Sequence, residues 1–281
     1  MKSRLNSGLT GLFMILLVLL PSISNGQSEK EIIKKYLKEL PYVPVSSAHQ
    51  KYRMSAVYTN MDIYGNFTDK TKVSGDYTRG LENGFVQWNN VYISGSKNFS
   101  EPFPEGTKQE YMENFKYVPS PEMLGTNAFK DFPATPMSVL AKNLIWDMMT
   151  IEGFARDYND SLKLNRNYRI PDINGTFNMA DIGTYSHNEI QLCWTGISMI
   201  DDELCAVIEY RAIDNKLEMS MAGLNTKGTE QYWGTTWVSL ETGLIESAVM
   251  YGGTIQEIEV PGLPNKFLVK TIRELWVDKI Y

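Results

Sequence analysis

Strand after strand from Thr176 onward is the feature that most constrains the fold. Residues 176–185, 189–196, 204–212, 217–222, 228–240, 244–251 and 267–279 read as strands bounded by turn formers, several of them alternating apolar and polar side chains. The turns fall at Asp201-Asp202, Asp214-Asn215, Glu241-Thr242-Gly243 and Pro261 through Pro264. Strands joined this closely pair antiparallel, and a run this long curls. The expectation is a meander that bends into a half-barrel.

The earlier chain supplies more strand and two helices. Tyr52, Met54, Ala56 and Tyr58 alternate with Arg53, Ser55 and Thr59, and Asn83-Gly84 is a favoured hairpin loop between residues 72–82 and 85–94. Ser28 with Glu31 forms a capping box ahead of Ile32, Ile33, Tyr36, Leu37 and Leu40, which share one helical face. Thr135-Pro136 starts the longest helix, 137–158, whose Val139, Leu140, Leu144, Ile145, Met148, Met149 and Ile151 cover more than one stripe. The predicted class is therefore α+β and β-rich, a curved antiparallel sheet with two helices packed on or in its concave face. Six prolines interrupt residues 98–136, which read as a long insertion that is functional or wraps a surface.

The first 26 residues have the three parts of a cleavable export signal: Lys2 and Arg4, an apolar run from Leu9 to Leu20, then Pro21 and the small residues Ser24 and Gly26. The apolar run is too short to span a bilayer, which needs about 20 residues. The expected product is residues 27–281, one β-rich domain, periplasmic or secreted in Gram-negative style. Removing Lys2 and Arg4 leaves 25 basic residues against 33 acidic ones, a net charge of −8. That balance argues against nucleic acid and anionic head groups as partners.

Motifs for chemistry are sparse. His49 and His187 lie far apart without companion ligands, and the chain holds no nucleophile elbow, P-loop or dinucleotide glycine pattern. No cofactor and no metal are expected. Paired carboxylates remain open as a class; Glu241, Glu246, Glu257 and Glu259 sit on terminal strands, where such residues normally face solvent. Asp147, flanked by Trp146 and Met148, is costly unless paired and reads first as an exposed-edge or salt-bridged residue, second as a tuned acid. Four Asn-x-Ser/Thr triplets begin at Asn66, Asn98, Asn159 and Asn174, and a bacterial export route would leave them unmodified.

Cys193 and Cys205 are expected to form a disulfide once exported, ahead of standing as two buried free thiols. Pairing about Asp201-Asp202 would set Cys193 opposite Tyr210, so the bridge requires a bulge or a wider loop. Trp233 and Trp237 share one strand face, Tyr232, Gly234 and Thr236 the other. Inward tryptophans would wall a core or an apolar cleft, the core reading first; outward ones would form a platform for sugar rings.

The order of helix, long strands, inserted proline-rich segment with a helix, then meander resembles the lipoprotein-carrier (LolA/LolB-like) superfamily, and the segment GTEQYWGTTWVSLETGLIESAVMY is similar to its edge-strand hairpin. The resemblance implies an incomplete β-barrel over helices that holds acyl chains in a cleft. On that basis the expected function is exported, non-enzymatic binding of a lipid, another apolar small molecule or a partner's hydrophobic segment. The expected cleft residues are Trp233, Trp237, Val249, Leu144 and Met148. The alternative is an exported carbohydrate-binding or carbohydrate-cleaving protein that uses the Trp233/Trp237 platform.

Overall fold

The computed structural model describes residues 30–171, 175–180, 182–221 and 223–280. The export signal expected over residues 1–26, the Ser28 cap and Ala222 lie outside the described residues. The chain divides into a short unit ending at Glu39 and a second unit, Leu40–Tyr281. In the first, residues 30–36 form a helix, α1, whose end is closed by a bond from the Leu37 amide to the Ile33 carbonyl at 2.9 Å. No described helix is long and apolar enough to cross a membrane.

The second unit has the predicted class. Its described residues form an open, antiparallel sheet of 13 strands. The long strands are β1 (Gln50–Asp62), β2 (Phe67–Arg79), β3 (Val86–Ser96), β9 (Glu189–Ile200), β10 (Glu203–Met221), β11 (Leu224–Ser239), β12 (Ile245–Glu259) and β13 (Phe267–Ile280). Short strands occupy the edges: β4 (Thr107–Lys108), β5 (Phe115–Tyr117), β6 (Asn167–Arg169), β7 (Thr176–Asn178) and β8 (Gly183–Ser186). The order runs β4-β3-β2-β1-β13-β12-β11-β10-β8-β7, with β9 beside the first half of β10. The last strand therefore joins the N-terminal hairpins to the C-terminal meander.

Several turns differ from expectation, each for a local reason. Residues 204–212 and 217–222 belong to one strand, β10, because Asp214 adopts a left-handed conformation (φ 54°) and is absorbed as a bulge between Ala212 and Asn215. Residues 176–185 are instead two strands, β7 and β8, folded back on each other. The Asn83-Gly84 pair does turn with positive φ at both residues, but pairing stops at Thr78 and Gln87, so the loop is wider than two residues. Gly243 holds φ 66° at the β11–β12 turn, where an added Cβ would lie 2.9 Å from the Val43 carbonyl oxygen. Only glycine lets residues 43–46 pass this close.

The expected Cys193–Cys205 disulfide is absent, and both cysteines are free. A bulge at Gly196 shifts the register so that Cys193 faces Glu209, while Cys205 faces Ser198. Four residues of strand rise, about 13 Å, then separate the two thiols, well beyond the roughly 7 Å a bridge tolerates between α-carbons.

Helix α2 (Pro136–Arg156) begins after Thr135 with proline at its first turn, as expected. It lies across one face of the sheet, touching β1, β2, β10, β11 and β12. Leu144, Ile145, Met148 and Ile151 are fully buried beneath it. That sheet face carries Tyr52, Met54 and Ala56 of β1, Tyr77 of β2 and Trp88 of β3, all with no exposed surface. The proline-rich segment is ordered around an aromatic cluster: Tyr111 and Phe115 both pack on Phe132, Phe132 on Phe129, and Phe129 edge-on against Trp146 of α2. The Trp146 indole N–H donates to the Met123 carbonyl at 2.9 Å, tying helix to segment.

Candidate functional site

A cleft of about 480 Å³ opens between α2 and the C-terminal half of the sheet. Strand alternation builds its floor. Register places Tyr58, Arg273, Gly252, Tyr232 and Ala212 side by side on β1, β13, β12, β11 and β10, all pointing toward α2. The next inward row is Asn60, Thr271, Thr254, Glu230 and Asn215. One wall is the half-buried side of α2, with Asn143, Trp146 and Thr150 and the buried Asp147 beside them. The opposite walls are Phe177, Tyr185 and His187 near the sheet edge, with Pro119, Pro121 and Leu124 of the proline-rich segment. The insertion thus forms part of a cavity wall.

Close approach under the floor depends on Gly234. A Cβ there would sit 2.4 Å from the Tyr210 hydroxyl, so glycine lets that ring lie across β11 and donate to the Val249 carbonyl at 3.0 Å. Tyr210 packs on Phe154 of α2, and Tyr232 packs edge-on to Tyr210. Burial holds the hydroxyls of Tyr185, Tyr210 and Tyr232 protonated far above their usual range.

Charge enters the floor at Arg273. Its Nη1 lies 3.1 and 3.2 Å from the two oxygens of Asp147, and its Nη2 lies 3.7 Å from Glu230 Oε1 and 3.1 Å from the Met250 sulfur. Tyr185 donates its hydroxyl to Glu230 Oε2 at 2.6 Å. The side chains of Arg273, Asp147 and Glu230 are only 11%, 11% and 14% exposed. Asp147 is pushed up to about 6 because burial penalises its charged form more than Arg273 relieves it. The ion-paired reading of Asp147 is the one the geometry realises. Burial pushes the His187 imidazole down, while its Nδ1 meets Asn215 Oδ1 at 3.3 Å.

Chemically the cleft can hold and orient, and no nucleophile–base pair or carboxylate pair free of a cation lines it. Among the described residues no cluster of three metal-ligating side chains occurs. Glu241 and Glu259 are exposed as expected of strand and turn carboxylates, while Glu257 is half-buried and paired with Lys266. Glu246 differs: it is buried and paired with Lys279 at 2.7 Å, away from the cleft.

The expected cleft residues are not its lining. Trp233, Trp237 and Val249 point from β11 and β12 to the opposite face of the sheet, because Tyr232, Gly234, Thr236 and Met250 take the inward positions. Leu144 and Met148 are on α2 but sealed against the sheet, and the cleft touches the neighbouring stripe at Asn143, Asp147 and Thr150. The sequence pointed to Asp147 and His187 without placing them together. Arg273, Glu230 and Tyr185 carried no signal beyond their parity on their strands.

The outward face has its own feature. Trp233 is 49% and Tyr251 36% exposed, and their rings, on directly paired residues, lie 6.4 Å apart at 30°. Gln191, Glu209, Arg211 and Asn167 border them in a depression of about 450 Å³.

No family model matches the chain and no curated protein matches it. Among solved structures the chain is similar to one described as showing lipid–protein interactions in lipovitellin, at 12% identity and a TM-score of 0.42, over 83% of this chain and 25% of that one. The chain spans about a quarter of that protein's length.

Proposed function

We propose that this chain is an exported, non-enzymatic binding protein that holds a lipid or another apolar small molecule in the cleft between α2 and the sheet. The observation that carries the reading is the cleft itself. Its size falls in the roughly 300–1,000 Å³ range of small-molecule sites, and Trp146, Met149, Phe177, Met179, Tyr232 and Met250 make much of its wall. A few convergent polar groups at Arg273 orient an occupant without offering a reaction.

Native mass spectrometry of the purified protein, followed by titration with a fluorescent long-chain alcohol, tests this. A copurifying small molecule or saturable probe binding is expected, and Thr150→Trp, which fills the opening, should abolish it. Absence of both a copurifying mass and probe binding would overturn the reading.

A second reading is favoured by the exposed Trp233–Tyr251 pair: a carbohydrate bound on the outward face, stacked on the rings and hydrogen-bonded by Gln191 and Arg211. Glycan-array binding that Trp233→Ala abolishes, with an empty cleft, would move the function to that class.

A further inference from the structure

Resting on the cleft-binding reading, we infer that the occupant is a long-chain amine: an apolar tail with a cationic head seated beside Glu230. Four observations carry this. First, the cleft's cations are already engaged. Arg273 gives one terminal nitrogen to Asp147 and turns the other toward Glu230 and Met250. Its Nε has no hydrogen-bond partner but is sealed from solvent in the floor, 3.7 Å from where a Gly252 Cβ would stand. The other lining guanidinium, Arg156, is bound to the Glu152 carbonyl and carboxylate at 2.9 and 3.4 Å. A fatty-acid carboxylate entering here finds the Arg273 nitrogens engaged or sealed in the floor, and only the outer nitrogen of Arg156 without a partner.

Second, charge at the floor does not cancel. Asp147 and Glu230 face the single cation Arg273, leaving one negative charge in excess. Third, that excess is located. Glu230 Oε2 accepts from Tyr185, but Oε1 has only Arg273 at 3.7 Å, outside hydrogen-bond distance, and keeps room for a donor. An ammonium group has three donors and suits this oxygen. Fourth, the rings beside Glu230 form a continuous wall: Phe177 to Tyr185 at 5.6 Å, Tyr185 to His187 at 5.0 Å, His187 to Tyr232 at 6.4 Å. Aromatic faces attract a cation and are indifferent to or repel an anion. With His187 held neutral by burial, no second positive charge competes.

Calorimetric titration of the full chain at neutral pH with dodecylamine, dodecanol and dodecanoic acid separates the possibilities. The amine should bind at least about tenfold more tightly than the alcohol, a difference of about 1.4 kcal/mol, and the acid most weakly. Glu230→Gln should bring the amine-to-alcohol ratio to about one, whatever its absolute affinities, while Trp233→Ala on the other face preserves the ratio. A ratio that survives Glu230→Gln, or an acid that binds as well as the amine, would overturn the head-group inference alone. If none of the three binds, the cleft-binding reading falls with it.

Discussion

The same helix covers two halves of one sheet face, and the halves are built differently. Over β1 to β3, Tyr52, Tyr77 and Trp88 fill the space beneath α2, with the Tyr77 ring 6.1 Å from Tyr52 and 5.2 Å from Trp88. Over β11 to β13, the row that continues from Tyr58, three inward rows beyond Tyr52, holds Arg273, Gly252 and Tyr232, and a cleft remains. Each half also ties α2 by one carboxylate: Glu152 to Arg79 at 3.3 Å, Asp147 to Arg273 at 3.1 Å. The filled half is a core that holds the helix in place. The open half spends packing on a cavity, and the difference is set by small and charged residues at inward positions.

Replacing Trp88 by alanine strikes the filled half and should cost the most, about 3–5 kcal/mol, as large aromatic truncations in cores do. Urea denaturation would measure it; a loss under about 1 kcal/mol would mean this half is not the anchor. Arg273→Met strikes the open half. It strands two nearly buried carboxylates and should cost about 3 kcal/mol, near the lower end for breaking a buried pair. A higher amine-to-alcohol binding ratio should accompany it, because the two carboxylates lose their cation, and Trp88→Ala at matched stability should leave the ratio unchanged.

A pH series sharpens the contrast between the two carboxylate ties. Asp147 in the folded chain titrates near 6, above its ordinary value of 3.8, so the folded state holds the proton more tightly than the unfolded one. Its contribution is therefore fully present below about 4 and is lost as pH rises through about 6. Relative to Asp147→Asn, the wild type should lose on the order of 2–3 kcal/mol between pH 4 and pH 7. A difference that is flat across that window would show that Arg273 compensates the burial of Asp147. The smallest effect is expected outside both halves. Trp233→Ala on the outward face should change stability by no more than about 0.5 kcal/mol.

Periodicity made the architecture legible. Alternation at residues 52–58 and after 228 is written in single strands, and α2 announces itself through Thr135-Pro136 and its apolar stripes. The site was less legible because parity within a strand does not say which parity faces the core. Both faces of β11 are aromatic: Tyr232 on one, Trp233 and Trp237 on the other. Tryptophan's larger apolar area suggested the wrong one, and Gly234, the residue that admits Tyr210, marks the inward side only once β10 is in place. Arg273 could not be joined to Asp147 from spacing, since the two meet across 126 residues. Cys193 and Cys205 failed because the tight turn at Asp201-Asp202 keeps the strands nearly in register, and the one bulge moves Cys193 only from Tyr210 to Glu209.

The pairing of β1 with β13 has a consequence for how the molecule comes into being. Thr271 donates to Asn60 across 211 residues, and every bond of that ladder spans a comparable stretch. Closing such a loop must be paid in chain entropy before any contact rewards it, so this seam forms late and slowly. During synthesis, β1 and β12 both wait with unpaired edges until β13 has left the ribosome. Those edges are templates for wrong partners. Assembly should therefore depend on chaperones or on delayed folding, and a chain stopped before Phe267 should aggregate rather than yield two half-sheets.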